Sequence, residues 1–120
     1  MHDPEIFTIV VSMQRSGSTL FCRDLTSLGG IGSPEEHALP IIRNSKQIDD
    51  SWMERIITEC IEHSEDTNAA GLKVMLDYAP LLATAVSMRS HINTARESIE
   101  GHVEAVETLL DYFVGRFERV

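Results

Sequence analysis

A chain of 120 residues with a formal net charge of −9 fits a single domain with a modest core, and its acidity argues against nucleic-acid partners, which depend on clustered Lys and Arg. At 42% hydrophobic and 24% charged residues, the composition is that of an ordinary globular protein. No apolar run approaches the roughly 18 residues of a transmembrane helix, and the acidic opening (residues 1–5) is the reverse of a signal-peptide n-region, so a cytoplasmic protein without a transmembrane segment is expected.

The first predicted element is a buried strand over 5–12, from the near-continuous apolar, β-branched run Ile6, Phe7, Thr8, Ile9, Val10 and Val11. A small-residue turn, 12–19, interrupts it, and a helix follows over 18–28 with Gly29 and Gly30 as its stop. Strand, tight loop, helix is the layout that points backbone N–H groups and the positive end of a helix dipole at an anion. The loop departs from a nucleotide-triphosphate loop of the pattern G-x-x-x-x-G-K-[ST]. Ser12 stands at its first Gly, Gly17 and Thr19 match, and Ser18 replaces the Lys. Positive charge sits instead at Arg15, whose planar guanidinium can clamp oxygens in bidentate fashion. A kinase or ATPase reading loses its main electrostatic support. Read from the residues alone, the hydroxyls of Ser16 and Ser18 serve either as anion ligands or as a helix cap.

Residues 29–49 read as a long loop, broken by Gly32, Pro34, Pro40 and Asn44. Ser51 and Glu54 have the spacing of a capping box for a helix whose apolar face is Trp52, Met53, Ile56, Ile57, Cys60 and Ile61. A short second strand is predicted over 70–76, with Lys73 inside it. Such a Lys lies on an exposed edge or at a site that uses its charge. A helix carrying Pro80, Leu81, Leu82, Ala85 and Val86 follows, then a polar connection, Ser87 to Thr94. A last helix over 96–117 is predicted to bury Ile99, Val103, Val106, Leu110, Phe113, Val114 and Phe117 against an acidic outer face. Cys22 and Cys60 provide no disulfide framework, and Cys60 with His63 lacks the further ligands a metal needs. Strands each followed by helix indicate an α/β protein with a parallel sheet, though two strands alone make a poor sheet.

The block Gln14-Arg15-Ser16-Gly17-Ser18-Thr19-Leu20 is followed by Gly29-Gly30-Ile31-Gly32-Ser33-Pro34-Glu35-Glu36, by Gly71-Leu72-Lys73-Val74-Met75 and by Pro80-Leu81-Leu82. In this order the blocks resemble bacterial sulfotransferases of the trehalose and lipopolysaccharide type. The resemblance implies a P-loop-like three-layer α/β fold, with residues 1–120 as one truncated domain covering its first half. It implies 3′-phosphoadenosine 5′-phosphosulfate as donor, no metal, and a carbohydrate or glycolipid hydroxyl as acceptor. Arg15, Ser16, Gly17, Ser18 and Thr19 then hold the 5′-phosphosulfate, Glu36 is the general base, and Lys73 joins Arg15 beside the reacting group. His37 is the alternative base by chemistry. Leu76, Asp77 and Tyr78 stand where the family often has W-N-Q, which leaves the acceptor sugar open. The 3′-phosphate ligands of the family lie beyond residue 120. The rival expectation is a non-catalytic module that keeps this half of the fold and pairs with itself to form a homo-oligomer.

Overall fold

A computed structural model describes residues 4–13, 17–45, 47–64, 68–87 and 99–120. The β-branched run forms strand β1 (Ile6–Ser12), and after the loop the chain enters helix α1 (Ser18–Leu28), which Gly29 ends as expected with its N–H bonded to the Thr26 carbonyl at 3.2 Å. Two short steps, α2 (Leu39–Asn44) and α3 (Trp52–Glu62), lead to strand β2 (Ala69–Met75). Helices α4 (Ala79–Ser87) and α5 (Ile99–Arg116) complete the order. The protein is therefore α/β, with a parallel two-stranded sheet in the register Ile6 with Ala69 through Ser12 with Met75.

Single bridges extend this sheet on both sides, which answers the weakness expected of two strands alone. Glu35 pairs with Leu72 beyond β2, and Arg119 pairs with Ile6 beyond β1, both in parallel sense. The Lys73 N–H donates to the Glu35 carbonyl at 2.8 Å, and the Phe7 N–H to the Arg119 carbonyl at 2.8 Å. Every residue of β2 is consequently buried, whereas only Phe7 is fully buried in β1.

The segment before Glu35 reaches β2 because two glycines meet there. Gly32 has φ +84°, and a Cβ on it would lie 2.5 Å from the Ala70 carbonyl carbon; a Cβ on Gly71 would lie 2.9 Å from the Pro34 nitrogen. On the other side of the sheet, Phe7 stacks on Phe113 and Phe117 of the α5 end, with ring centroids 4.7 and 4.6 Å apart. Replacing Phe113 by Ala is expected to cost about 3–5 kcal/mol, the range for emptying a large aromatic site. Urea unfolding measures it, and a loss below about 1 kcal/mol would show that this stack does not anchor α5.

Several local expectations change. Residues 29–49 contain α2, because Pro40 occupies the first turn, where a missing N–H costs no helical bond. The capping box does not form. Ser51 makes no side-chain cap, its N–H donating instead to the Asp49 carboxylate at 2.8 Å, while Glu54 binds Arg116 at 3.3 Å. The face of α5 is also turned. Gly101, Ala105, Leu109, Phe113 and Phe117 are buried, while Val103, Leu110 and Val114 are exposed. Small residues at Gly101 and Ala105 suit the close seat of α5 on α4, which itself presents Ala79, Ala83 and Ala85 to the core. The acidic outer face at Glu100, Glu104, Glu107 and Asp111 is as expected. The start of the last helix at Arg96 and most of the polar connection before it lie outside the described residues.

Candidate functional site

Gly17 occupies the N-cap of α1 in the left-handed conformation, φ 80° and ψ 12°, and no side chain caps the helix. The Phe21 N–H, bonded to the Gly17 carbonyl at 3.2 Å, opens the helical ladder. The amides before it have no partner within the helix and face outward at the positive end of its dipole. Ser18 is the first helical residue, so the capping role is not the one it performs. Arg15 and Ser16 lie outside the described residues.

Lys73 comes to this helix start from the strand beside β1. It is 5% exposed, and its Nζ donates to Thr19 Oγ1 at 3.3 Å. No carboxylate forms an ion pair with it among the described residues. A buried ammonium with a hydroxyl as its hydrogen-bond partner is under-compensated, and the adjoining amides carry the same sign of potential. Together they suit an oxyanion. The exposed-edge reading of Lys73 is set aside by the Glu35 bridge, which covers that side of β2.

Glu36 reaches the same point from the segment that Gly32 and Gly71 seat against β2. Its Oε1 accepts a hydrogen bond from the Tyr78 hydroxyl at 3.2 Å; that hydroxyl is also 3.2 Å from the Lys73 carbonyl. Burial pushes the Tyr78 phenol well above the ordinary tyrosine range; a backbone hydrogen bond from Met75 opposes this, and the nearby Glu36 charge adds to it. Thr19, Glu36 and Lys73 stand between two cavities, each of about 430 Å³, and line both. One runs along α1 past Cys22, Arg23, Thr26 and Ser27 to Pro34 and Glu35. The other opens over Gly17 and Ser18 toward Leu39, Arg43, Asp77 and Tyr78.

The structure thus brings together Gly17, Ser18, Thr19, Glu36 and Lys73 from three separate stretches. His37 turns away: it is buried, its Nε2 lies 3.0 Å from the Ser33 carbonyl, its ring stacks on His63 at 5.3 Å, and it lines neither cavity. Cys22 forms part of one wall, where burial raises its thiol above the ordinary range despite the opposing Lys73 charge. Arg43 lies in the segment whose glycines and prolines predict a loop; Pro40 followed by two isoleucines and an arginine is the helical signal there. No group of three or more His, Cys, Asp or Glu side chains that could hold a metal occurs among the described residues, and no helix among them is long and apolar enough to cross a membrane.

Comparison with known proteins yields a match to the Stf0 sulphotransferase family over residues 7–81, more than half of the chain. No curated protein and no solved structure matches. The helix start, the Glu35–Glu36 segment and the Lys73 strand all fall inside the matched stretch, and the chain belongs to the Stf0 sulphotransferase family.

Proposed function

We propose that this chain serves transfer of a sulfuryl group from 3′-phosphoadenosine 5′-phosphosulfate to a hydroxyl of a carbohydrate or glycolipid. The observation that carries the reading is the buried Lys73 ammonium, placed at the open amides of α1 and beside Glu36. The amides of Gly17, Ser18 and Thr19, with Arg15 and Ser16 from the same loop, bind the phosphosulfate end. Lys73 and Arg15 stabilise negative charge that grows on the leaving phosphate, the term that dominates such transfers. Glu36 takes the acceptor proton as general base. In this reading the chain is the first half of a P-loop-like three-layer fold.

Calorimetric titration with 3′-phosphoadenosine 5′-phosphate tests donor binding on the wild type and on Arg15→Ala. The expected result is binding that weakens by at least tenfold in the variant, the worth of a charge-assisted contact. No heat from a folded wild-type chain would defeat donor binding by these residues. Glu36→Gln is expected to lower transfer by about 10²- to 10⁴-fold while donor affinity holds, as for loss of a general base; retained transfer removes Glu36 from that role.

A second reading, a non-catalytic module that associates with itself, is favoured by the exposed apolar side chains Leu20, Phe21 and Leu28 on α1. Light scattering across a concentration series separates a self-associating chain from a monomer.

A further inference from the structure

We propose that Tyr78 is the positioning residue of the base: its hydroxyl holds Oε1 of Glu36 and exchanges hydrogen-bond partners when Glu36 takes up a proton. This rests on the reading of Glu36 as general base. The phenol has one proton and two acceptors at equal distance, Glu36 Oε1 and the Lys73 carbonyl, both 3.2 Å away. While Glu36 is ionised, the proton points to Oε1, because a hydrogen bond to a charged acceptor is the stronger. Once the acceptor O–H bond breaks and its proton lies on the carboxyl, Oε1 no longer needs a donor. The phenol proton then turns to the Lys73 carbonyl, and the phenol oxygen can accept from the protonated carboxyl. No proton leaves Tyr78. The new oxygen–sulfur bond and the broken sulfur–oxygen bond to phosphate are untouched by this exchange.

The surroundings are built for such a pivot. Tyr78 is 6% exposed, and its N–H donates to the Met75 carbonyl at 3.3 Å, in the turn that directly follows β2. Its ring cannot swing out without breaking that packing, so only the hydroxyl proton is free to move. Burial keeps the phenol protonated, as a pivot that must always donate requires. The second acceptor, the Lys73 carbonyl, belongs to the strand that carries the buried cation, so base and cation share one rigid mount.

Two measurements on the full chain test this. The chain has two tyrosines, Tyr78 and Tyr112. With ring Cζ carbons labelled by ¹³C, Glu36→Gln is expected to move the Tyr78 resonance and leave that of Tyr112, which lies near Glu54 instead. Two unmoved resonances overturn the proposal. In sulfuryl transfer to a hydroxyl, or to water in its absence, Tyr78→Phe is expected to lower kcat about tenfold, as for one hydrogen bond to a charged group, with KM for the donor unchanged. In a Glu36→Gln background the same change is expected to do nothing further. An equal loss in both backgrounds marks a merely structural role and overturns the proposal, as does an unchanged kcat in Tyr78→Phe. If Glu36→Gln itself keeps the wild-type rate, the reading of Glu36 as base fails and the positioning role falls with it; a slow Glu36→Gln beside a fast Tyr78→Phe leaves the base standing and removes Tyr78 alone.

Discussion

Lys73→Met is expected to weaken binding of 3′-phosphoadenosine 5′-phosphate by roughly 10- to 100-fold while making the ligand-free protein slightly more stable. The two effects have opposite signs for one physical reason. In the free protein the ammonium is buried with Thr19 Oγ1 as its hydrogen-bond partner, at 3.3 Å. Met keeps much of the side-chain volume and removes the desolvation cost of a buried charge that no ion pair offsets among the described residues, a gain of about 1 kcal/mol. With an oxyanion in place that same charge makes a charge-assisted hydrogen bond worth about 1.5–3 kcal/mol, hence the loss of affinity. Titration calorimetry and a thermal melt on the same sample read both signs. An affinity unchanged from wild type would mean that Lys73 does not face the bound anion. A melting temperature lowered by several degrees would mean that the ammonium is a structural contact of β2.

Gly32→Ala is expected to destabilise the fold by about 2–5 kcal/mol and to dislodge Glu36 from the site. Two penalties combine. An L-residue in the left-handed region costs about 1–2 kcal/mol, and the added Cβ would fall 2.5 and 2.7 Å from the backbone of Ala70, which cannot yield as a side chain can. Gly30→Ala provides the control. Its φ is +80° but no atom lies within 4 Å of the added Cβ, so only the conformational penalty applies. The difference between the two in urea unfolding measures the close approach of the two backbones. Equal losses would show that the segment can move off β2 at little cost. Because the Glu35 bridge, the Glu36–Tyr78 hydrogen bond and the cover over Lys73 all depend on that approach, Gly32→Ala should impair anion binding even where the chain stays folded.

The local elements were legible because their signals are local. β-branched residues up to Val11 and the Gly29–Gly30 stop predict the strand and the helix at almost the bounds observed. Where two local signals compete, the local pattern does not decide the structure. Pro40 breaks a helix interior but begins one equally well, so α2 and its Arg43 were hidden. Ser51 and Glu54 have capping spacing, yet an Asp two residues earlier and an Arg at position 116 took their hydrogen bonds. The apolar residues of α5 predict one stripe through Val103, Leu110 and Val114, and the close seat on α4 turns the helix to bury Gly101 and Ala105 instead.

The sequence by itself determined the first strand, the helix after it and the family blocks around them, because spacing within such a unit is a property of a few adjacent residues. It placed Glu36 and Lys73 as candidates without relating them in space. Only the tertiary structure decided that Lys73 is buried, that it meets Thr19 across 54 positions of chain, and that Tyr78 reaches Glu36 across 42. Those relations depend on the register of β1 with β2 and on two glycines that let the segment before Glu35 lie against the strand. Register and backbone approach are set by packing between distant parts of the chain, and no local pattern records them.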